Sequence, residues 1–178
     1  EGGVKKYSII YADPPWQFKA WSGRGDGRSA ENHYMTQDGG FLKALNIGKI
    51  SNPNCVLLMW ATFPCLKLAI ELGECWGFKY KTVAFTWIKK NMLNDGIFTG
   101  MGYYTRSNAE IVLLFTKGKP LTRISKSVKQ VVITNRARHS EKPPEVRERI
   151  VKLFGELPRI ELFARDGVRP SKADLFLG

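Results

Sequence analysis

The stretch Tyr7-Ser8-Ile9-Ile10-Tyr11-Ala12-Asp13-Pro14-Pro15-Trp16 decides how the rest of the chain is read. Tyr7 to Ala12 is an apolar run of strand length. It stops at Asp13-Pro14-Pro15, because proline has no N–H to donate to a central ladder. The break leaves a carboxylate, two prolines and a tryptophan in a stiff turn at a strand's carboxyl end. Proline fixes φ, so the carbonyls of Pro14 and Pro15 are held as rigid acceptors. An acid beside fixed carbonyls suits a ligand that offers an –NH2 group, and Trp16 adds a flat face for a heteroaromatic ring. The plainer reading is a capping Asp, a turn-forming Pro-Pro and a core Trp.

Outward from this strand, short apolar runs alternate with helical patterns. Residues 22–32 are polar and glycine-rich, a loop by composition. Residues 41–50 form a weak helix candidate and 54–61 a second strand. In residues 64–73, Leu66, Ala69, Ile70 and Leu72 have helical spacing, with Gly73 as the terminator. Residues 81–88 read as a third strand, 89–106 as a second long loop, 108–116 as a fourth strand and 128–134 as a fifth. Pro143 and Pro144 open the clearest helix, which gathers Val146, Ile150, Leu153 and Phe154 on one face and ends at Gly155. Residues 158–164 are the last strand. Such alternation predicts an α/β fold, a mostly parallel sheet with helices on both faces. Ligands of such sheets sit past the carboxyl ends of the strands, where strand order reverses. The informative residues are therefore those that follow strands.

With 178 residues the chain is read as one domain, and 43% hydrophobic residues is ordinary for a globular core. Lys and Arg number 28 against 16 Asp and Glu, a formal charge of +12, which suggests a polyanionic partner. The longest apolar run, residues 55–61, is far short of the ~20 residues that cross a bilayer. The first residues lack the charged-then-apolar layout of a secretion signal. The expected location is cytoplasmic, or nuclear in a eukaryote, with no membrane association. Cys55, Cys65 and Cys75 contain no Cys-x-x-Cys pair, and His33 and His139 lie far apart. Neither a disulfide framework nor a metal site is expected, and the thiols are read as buried in a reducing compartment.

Asp-Pro-Pro-Trp after a strand is the arrangement used by amino-group methyltransferases that flip out an adenine or cytosine. Here Tyr11-Ala-Asp-Pro-Pro-Trp16 resembles the catalytic motif of the MT-A (seventy-kilodalton subunit) family of S-adenosylmethionine-dependent adenine methyltransferases. Further similarities follow in the same order along the chain. They are His33-Tyr-Met-Thr36, Leu57-Leu-Met-Trp-Ala61, Trp76-Gly-Phe78 with Trp87-Ile-Lys89, and Gly102 with Arg106-Ser-Asn-Ala-Glu110. His139-Ser-Glu-Lys-Pro143 and Ile160-Glu-Leu-Phe-Ala-Arg165 complete the set.

The resemblance implies S-adenosyl-L-methionine as methyl donor and the exocyclic nitrogen of adenine as acceptor. It also implies a Rossmann-like methyltransferase sheet in permuted motif order, in a single domain over residues 1–178. Asp13, Pro14, Pro15 and Trp16 are then the catalytic residues. Asp13, His139, Ser140, Lys142, Phe163 and Arg165 would hold the cofactor, with Lys142 meeting its carboxylate. Tyr34, Lys89, Tyr104, Arg106, Asn108 and Glu110 would meet the substrate. The family usually carries a Gly-Asn-Glu or Gly-Asn-Gln tail, whereas this chain ends Leu175-Phe-Leu-Gly178, so the expectation is either a domain trimmed at its C-terminus or a cofactor pocket formed in part by other residues.

The implied chemistry is direct in-line displacement at the donor's methyl group. Hydrogen bonds from the adenine amino group to Asp13 and the Pro14 carbonyl would draw its lone pair out of conjugation, an effect worth ~3 kcal/mol for one such group. Glu161, in an otherwise apolar strand, is either structural support or a hydroxyl-binding acid. Residues 22–28 carry glycines, Arg24 and Arg28, yet no preceding strand or following apolar helix, so they are not a dinucleotide cradle. Between Lys117 and Arg138 the charged residues are all basic, a stretch suited to a phosphate backbone or to a solvated face. Tyr103, Tyr104 and Arg106 are read either as stacking and clamping groups or as core.

The expected partner is nucleic acid, with DNA ahead of RNA because no RNA-binding module is seen in the chain. A homodimer or a partner methyltransferase subunit is the protein-partner expectation. The alternatives are the same reaction on RNA adenosine, and a non-catalytic nucleic-acid-binding subunit of a methyltransferase complex.

Overall fold

In the computed structural model, which describes residues 3–16, 39–136 and 141–164, β1 (Tyr7–Ala12) ends where the sequence breaks, at Asp13. It lies between β2 (Ser51–Ala61) and β6 (Arg159–Leu162) and runs parallel to both. With β3 (Lys79–Lys90), β4 (Ala109–Lys117) and β5 (Val131–Asn135), the six-stranded sheet has the order β5-β3-β4-β2-β1-β6. β4 is antiparallel to both neighbours and β5 is parallel to β3. A mostly parallel sheet is thus borne out, with β4 alone reversed. The reversal has a simple cause. Loop 91–108 contains no helix to carry the chain back across the sheet, so the next strand must return antiparallel.

Side chains alternate between faces along each strand. Ile10, Ala12, Leu57, Met59, Leu113 and Phe115 are buried on one face beneath α1 (Gly39–Ala44), a 3-10 turn (Ile47–Ile50) and α2 (Leu66–Cys75). Ile9, Tyr11, Leu58, Trp60, Phe85 and Trp87 are buried on the other, beneath α3 (Pro144–Phe154). Helices thus cover both faces, as the sequence implies, and α3 forms as its residues dictate. Proline occupies its first position, and Val146, Ile150 and Phe154, four residues apart, are its buried stripe. Each such anchor is worth about 2 kcal/mol of burial.

Most boundaries shift by one to three residues, the 41–50 candidate splits into α1 and the 3-10 turn, and two shifts have a clear physical cause. β2 begins at Ser51, not 54, and tolerates Pro53 because its register with β1 shifts there, from Tyr7↔Ser51 to Ile9↔Val56. α2 does not end at Gly73 but continues to Cys75. Gly73 is instead a contact glycine: a Cβ on it would lie 2.2 Å from the Phe115 ring. Cys55 and Cys65 are buried as expected, whereas Cys75, at the end of α2, is exposed. Among the described residues no helix is long and apolar enough to cross a membrane, and no cluster of His, Cys, Asp and Glu is arranged to hold a metal.

After β5, at one edge, the chain crosses the whole sheet through α3 to reach β6 at the other edge. Because β5 points with β1, it ends on the side where the parallel strands have their carboxyl ends. Lys142, just before α3, stands at that same end, 4.0 Å from Asp13.

Candidate active site

The Asp13 N–H donates to the Leu162 carbonyl at 3.1 Å, extending the β1–β6 ladder by one residue. Its side chain, 10% exposed, is thereby fixed at the carboxyl end of the sheet. Pro14 is buried and Pro15 exposed. The Pro14 carbonyl already accepts the Trp16 N–H at 2.8 Å, so only its second lone pair remains for another donor. The Trp16 ring is partly buried against the α1/α2 core, and its Nε1 donates to the Trp60 carbonyl at 2.9 Å. That bond ties the turn to β2. Trp16 therefore takes the core reading its sequence position allowed, and it also locks the turn to β2.

Beside the turn sits an ion network that links three separate parts of the chain. Lys142 Nζ, in the approach to α3, is 2.8 Å from Glu110 Oε2 and 4.0 Å from Asp13 Oδ1. Lys89 Nζ, near the end of β3, is 3.3 Å from Glu110 Oε1. Antiparallel β4 makes this meeting possible, since its first residues lie at the end where its neighbours finish. Burial by itself would raise the Glu110 carboxyl, but Lys142 and Lys89 outweigh it and hold Glu110 below the ordinary range.

Two indole rings underlie the lysines. Lys142 lies 5.2 Å from the Trp60 ring centre and Lys89 5.2 Å from that of Trp87. The rings meet edge to face at 6.0 Å. Both N–H groups are satisfied, Trp60 by the Tyr11 hydroxyl and Trp87 by Thr134 Oγ1. Burial pushes the Tyr11 hydroxyl well above its ordinary range, so it stays neutral and able to accept from Trp60. Sequence reasoning missed Trp60 and Trp87 as part of the site. The signal was their place, each within two or three residues of a strand's carboxyl end.

Of the expected substrate residues, Lys89, Asn108 and Glu110 converge here, with the Asn108 carbonyl accepting the Lys89 N–H at 3.0 Å. Arg106 is exposed and braces its own loop, its Nε donating to the Gly100 carbonyl at 2.8 Å. Tyr104 is exposed at that loop's tip, which removes the core reading. Phe163 directly follows β6 with φ 62 and packs partly buried against the α1/α2 core. Glu161 takes the structural reading: Arg147 grips it with two hydrogen bonds, of 2.7 and 2.6 Å, joining α3 to β6. Tyr34, His139, Ser140 and Arg165, like the glycine-rich loop with Arg24 and Arg28, lie outside the described residues.

The described part of the basic stretch, residues 117–136, does not gather at this site, and Arg138 lies outside the described residues. Lys117, at the far end of β4, donates to Ser51 Oγ at 2.8 Å, beside the amino end of β2. Residues 118–130 then run along the α3 side, where the Ile124 N–H meets the Leu153 carbonyl. Among the described residues of the stretch only Arg136, which follows β5, reaches the end where Asp13 stands. Its N–H donates to the Lys90 carbonyl, and its guanidinium lies 4.0 Å from the centre of the Phe98 ring.

The arrangement offers a fixed carboxylate for an N–H donor, with cations alongside for an anionic group. Comparison with known proteins agrees with that chemistry. The MT-A70 family profile matches residues 7–175. The chain is 40% identical to the type II methyltransferase M.MunI of a Mycoplasma species, covering 91% of this chain and 73% of that protein. It is 27% identical to the human N(6)-adenosine-methyltransferase catalytic subunit METTL3, covering 90% of this chain and 26% of that one. For the human N(6)-adenine-specific methyltransferase METTL4 the identity is again 27%, with 91% and 35% covered. The chain thus spans most of the Mycoplasma relative but about a third or less of the two human ones.

Proposed function

The chain belongs to the MT-A70 family, and from that premise we propose that it methylates the exocyclic 6-amino nitrogen of adenine in DNA, with S-adenosyl-L-methionine as donor. The observation that carries the reading is the Asp13 carboxylate, locked at the end of β1 with Lys142 and Glu110 beside it.

The residues present suit that donor. Its amino-acid end bears a carboxylate and an ammonium, and Lys142 and Asp13 set a cation and an anion 4.0 Å apart. When bound, it supplies a methyl group on a cationic sulfur that departs with the bonding electron pair. The chain's own part is to prepare the nitrogen. Asp13 accepts a hydrogen bond from the amino group, which pulls the nitrogen lone pair out of the ring. The same carboxylate stabilises the positive charge that develops as the new N–C bond forms, worth roughly 3 kcal/mol. The methylated nitrogen then sheds one proton to water, so no dedicated base is needed. Lys142, shared between Asp13 and Glu110, couples the donor side to the adenine side.

DNA is favoured because identity is higher to the type II methyltransferase, 40%, than to the relative named for adenosine, 27%. The test is incubation with methyl-labelled donor and matched DNA and RNA oligonucleotides, followed by hydrolysis to nucleosides. Label in N6-methyldeoxyadenosine alone is the expected result. Label in RNA alone would move the substrate class, and label in neither, with the donor bound, would leave a non-catalytic subunit.

A further inference from the structure

Loop 91–108 ends in a feature that methyl transfer does not use. Tyr103 and Tyr104 at its tip are 82% and 94% exposed, and their rings meet edge to face at 4.9 Å. Such exposure of two adjacent aromatic rings is costly in water unless they have a partner. The tip is not slack. The Gly100 N–H donates to the Ser107 carbonyl at 2.7 Å, Arg106 Nε to the Gly100 carbonyl at 2.8 Å, and the Thr105 N–H to the Tyr103 carbonyl at 2.8 Å. A Cβ on Gly102 would sit 2.1 Å from the Thr105 carbonyl, so the tight turn requires glycine there. Tyr104 itself is held at φ 61, a left-handed conformation that costs a tyrosine energy. The fold therefore spends stability to point two aromatic rings outward.

The root of the loop fixes where they point from. The Lys89 N–H meets the Asn108 carbonyl, and the Phe98 N–H meets the Lys89 carbonyl. The arm thus rises directly from the two residues next to, and within, the Lys89–Glu110 pair. Its flanks are basic, with Arg106 on the arm and Arg136 against Phe98, and no acid occurs between Gly96 and Ala109. From Asn108 to Tyr104 the chain spans at most about 14 Å, comparable to a major groove ~12 Å wide and ~8.5 Å deep.

A base within a duplex cannot deliver its amino group to a carboxylate that is only 10% exposed, so the target adenine must leave the stack. Its departure opens a gap that is favourably filled by a flat apolar group. We propose that Tyr103 and Tyr104 are that group, a wedge that enters the base stack of duplex DNA as the adenine swings toward Asp13. The inference rests on the function proposed above. The paired rings and the flanking guanidiniums Arg106 and Arg136 favour a nucleic-acid stack, while the exposed Met92, Leu93, Ile97 and Met101 of the same loop make a protein contact the rival outcome that the test separates.

The test compares kcat/KM on two duplexes that share one methylated sequence, first found by mapping label on unmethylated genomic DNA. In one duplex the target adenine is paired with thymine, and in the other it faces an abasic position, so that the stack is already open. Tyr104→Ala and the double variant Tyr103→Ala/Tyr104→Ala should lose about tenfold or more on the paired duplex relative to the open one, the scale of removing one base–aromatic stack. Tyr104→Trp should restore the ratio. Equal losses on both duplexes, or no loss on either, overturn the wedge. Equal losses with a change in oligomeric mass would instead make the tip a protein contact. A wild-type chain that methylates neither duplex nor RNA removes the parent function, an outcome distinct from a failed wedge.

Discussion

Glu110 shows how one residue unites the site. It is 14% exposed in its side chain, yet it stays ionised because two ammonium groups reach it from different strands and loops. An ordinary glutamate titrates near 4.5, and in the fold this carboxyl lies lower. A depressed acid adds stability above its unfolded value and loses it as pH falls through the folded value. The wild-type chain should therefore lose melting temperature below about pH 4.5, with Glu110→Gln showing a flatter acid limb in thermal scans. Glu110→Ala removes the carboxylate that Lys89 and Lys142 share, leaving Lys142 only the longer contact with Asp13, and should cost about 3 kcal/mol near neutral pH, at the low end for a broken buried pair because Asp13 and some water still reach it. Asp13 calls for a different measurement. Asp13→Asn keeps the shape of the turn but removes the charge, so turnover should fall roughly a hundredfold or more. Donor binding, measured by calorimetry, should stay within about tenfold of wild type, a shift of no more than ~1.4 kcal/mol. Methylation close to the wild-type rate would remove Asp13 from the chemistry.

At the scale of elements, the sequence is most legible where a single run carries its own signals. β1 stops at a double proline, and α3 has proline at its start and a four-residue apolar spacing, so both are legible to within a residue or two. What stays hidden depends on partners distant in the chain. The pairing of Lys142 with Glu110 spans 32 residues and exists only because β4 runs backwards, a direction that no local pattern encodes. Gly73 misleads for a related reason. Its place after an apolar helical run matches a terminator, while its actual role is contact with a distant ring, that of Phe115. The two roles predict opposite outcomes. At an unstrained, uncrowded helix position Gly→Ala would stabilise by up to about 1 kcal/mol. Here the new methyl would meet three Phe115 ring atoms within 2.7 Å, and that ring is fully buried. Gly73→Ala should instead destabilise by about 1–2 kcal/mol in denaturant unfolding. Phe115→Leu, costly alone, should recover part of that loss in the double variant, a coupling that a helix terminator would not show.

For the whole molecule, the charge of +12 is less informative than its distribution. β4 has nine residues, so its two ends lie about 27 Å apart. Lys117 stands at one end and Glu110, beside Asp13, near the other. Screening at physiological salt acts over about 8 Å, so Lys119, Arg123 and Lys126, exposed toward the far end and along the α3 side, contribute little field at the strand ends. Arg136 does lie there, anchored on Lys90 and Phe98. The MT-A70 site and the phosphate track should therefore share the carboxyl end of the sheet, and salt titration of DNA binding separates the two groups of cations. Neutralising a cation that pairs with one phosphate lowers the slope of log K against log salt by about 0.9. Arg136→Gln should reduce that slope by about this amount and weaken binding at moderate salt. The triple neutralisation Lys119→Gln/Arg123→Gln/Lys126→Gln should leave the slope within experimental error. If the triple variant instead flattened it by about two or more, the nucleic acid would have to run down the α3 side toward the amino ends of the strands, and the strand-end face would no longer be the principal binding surface.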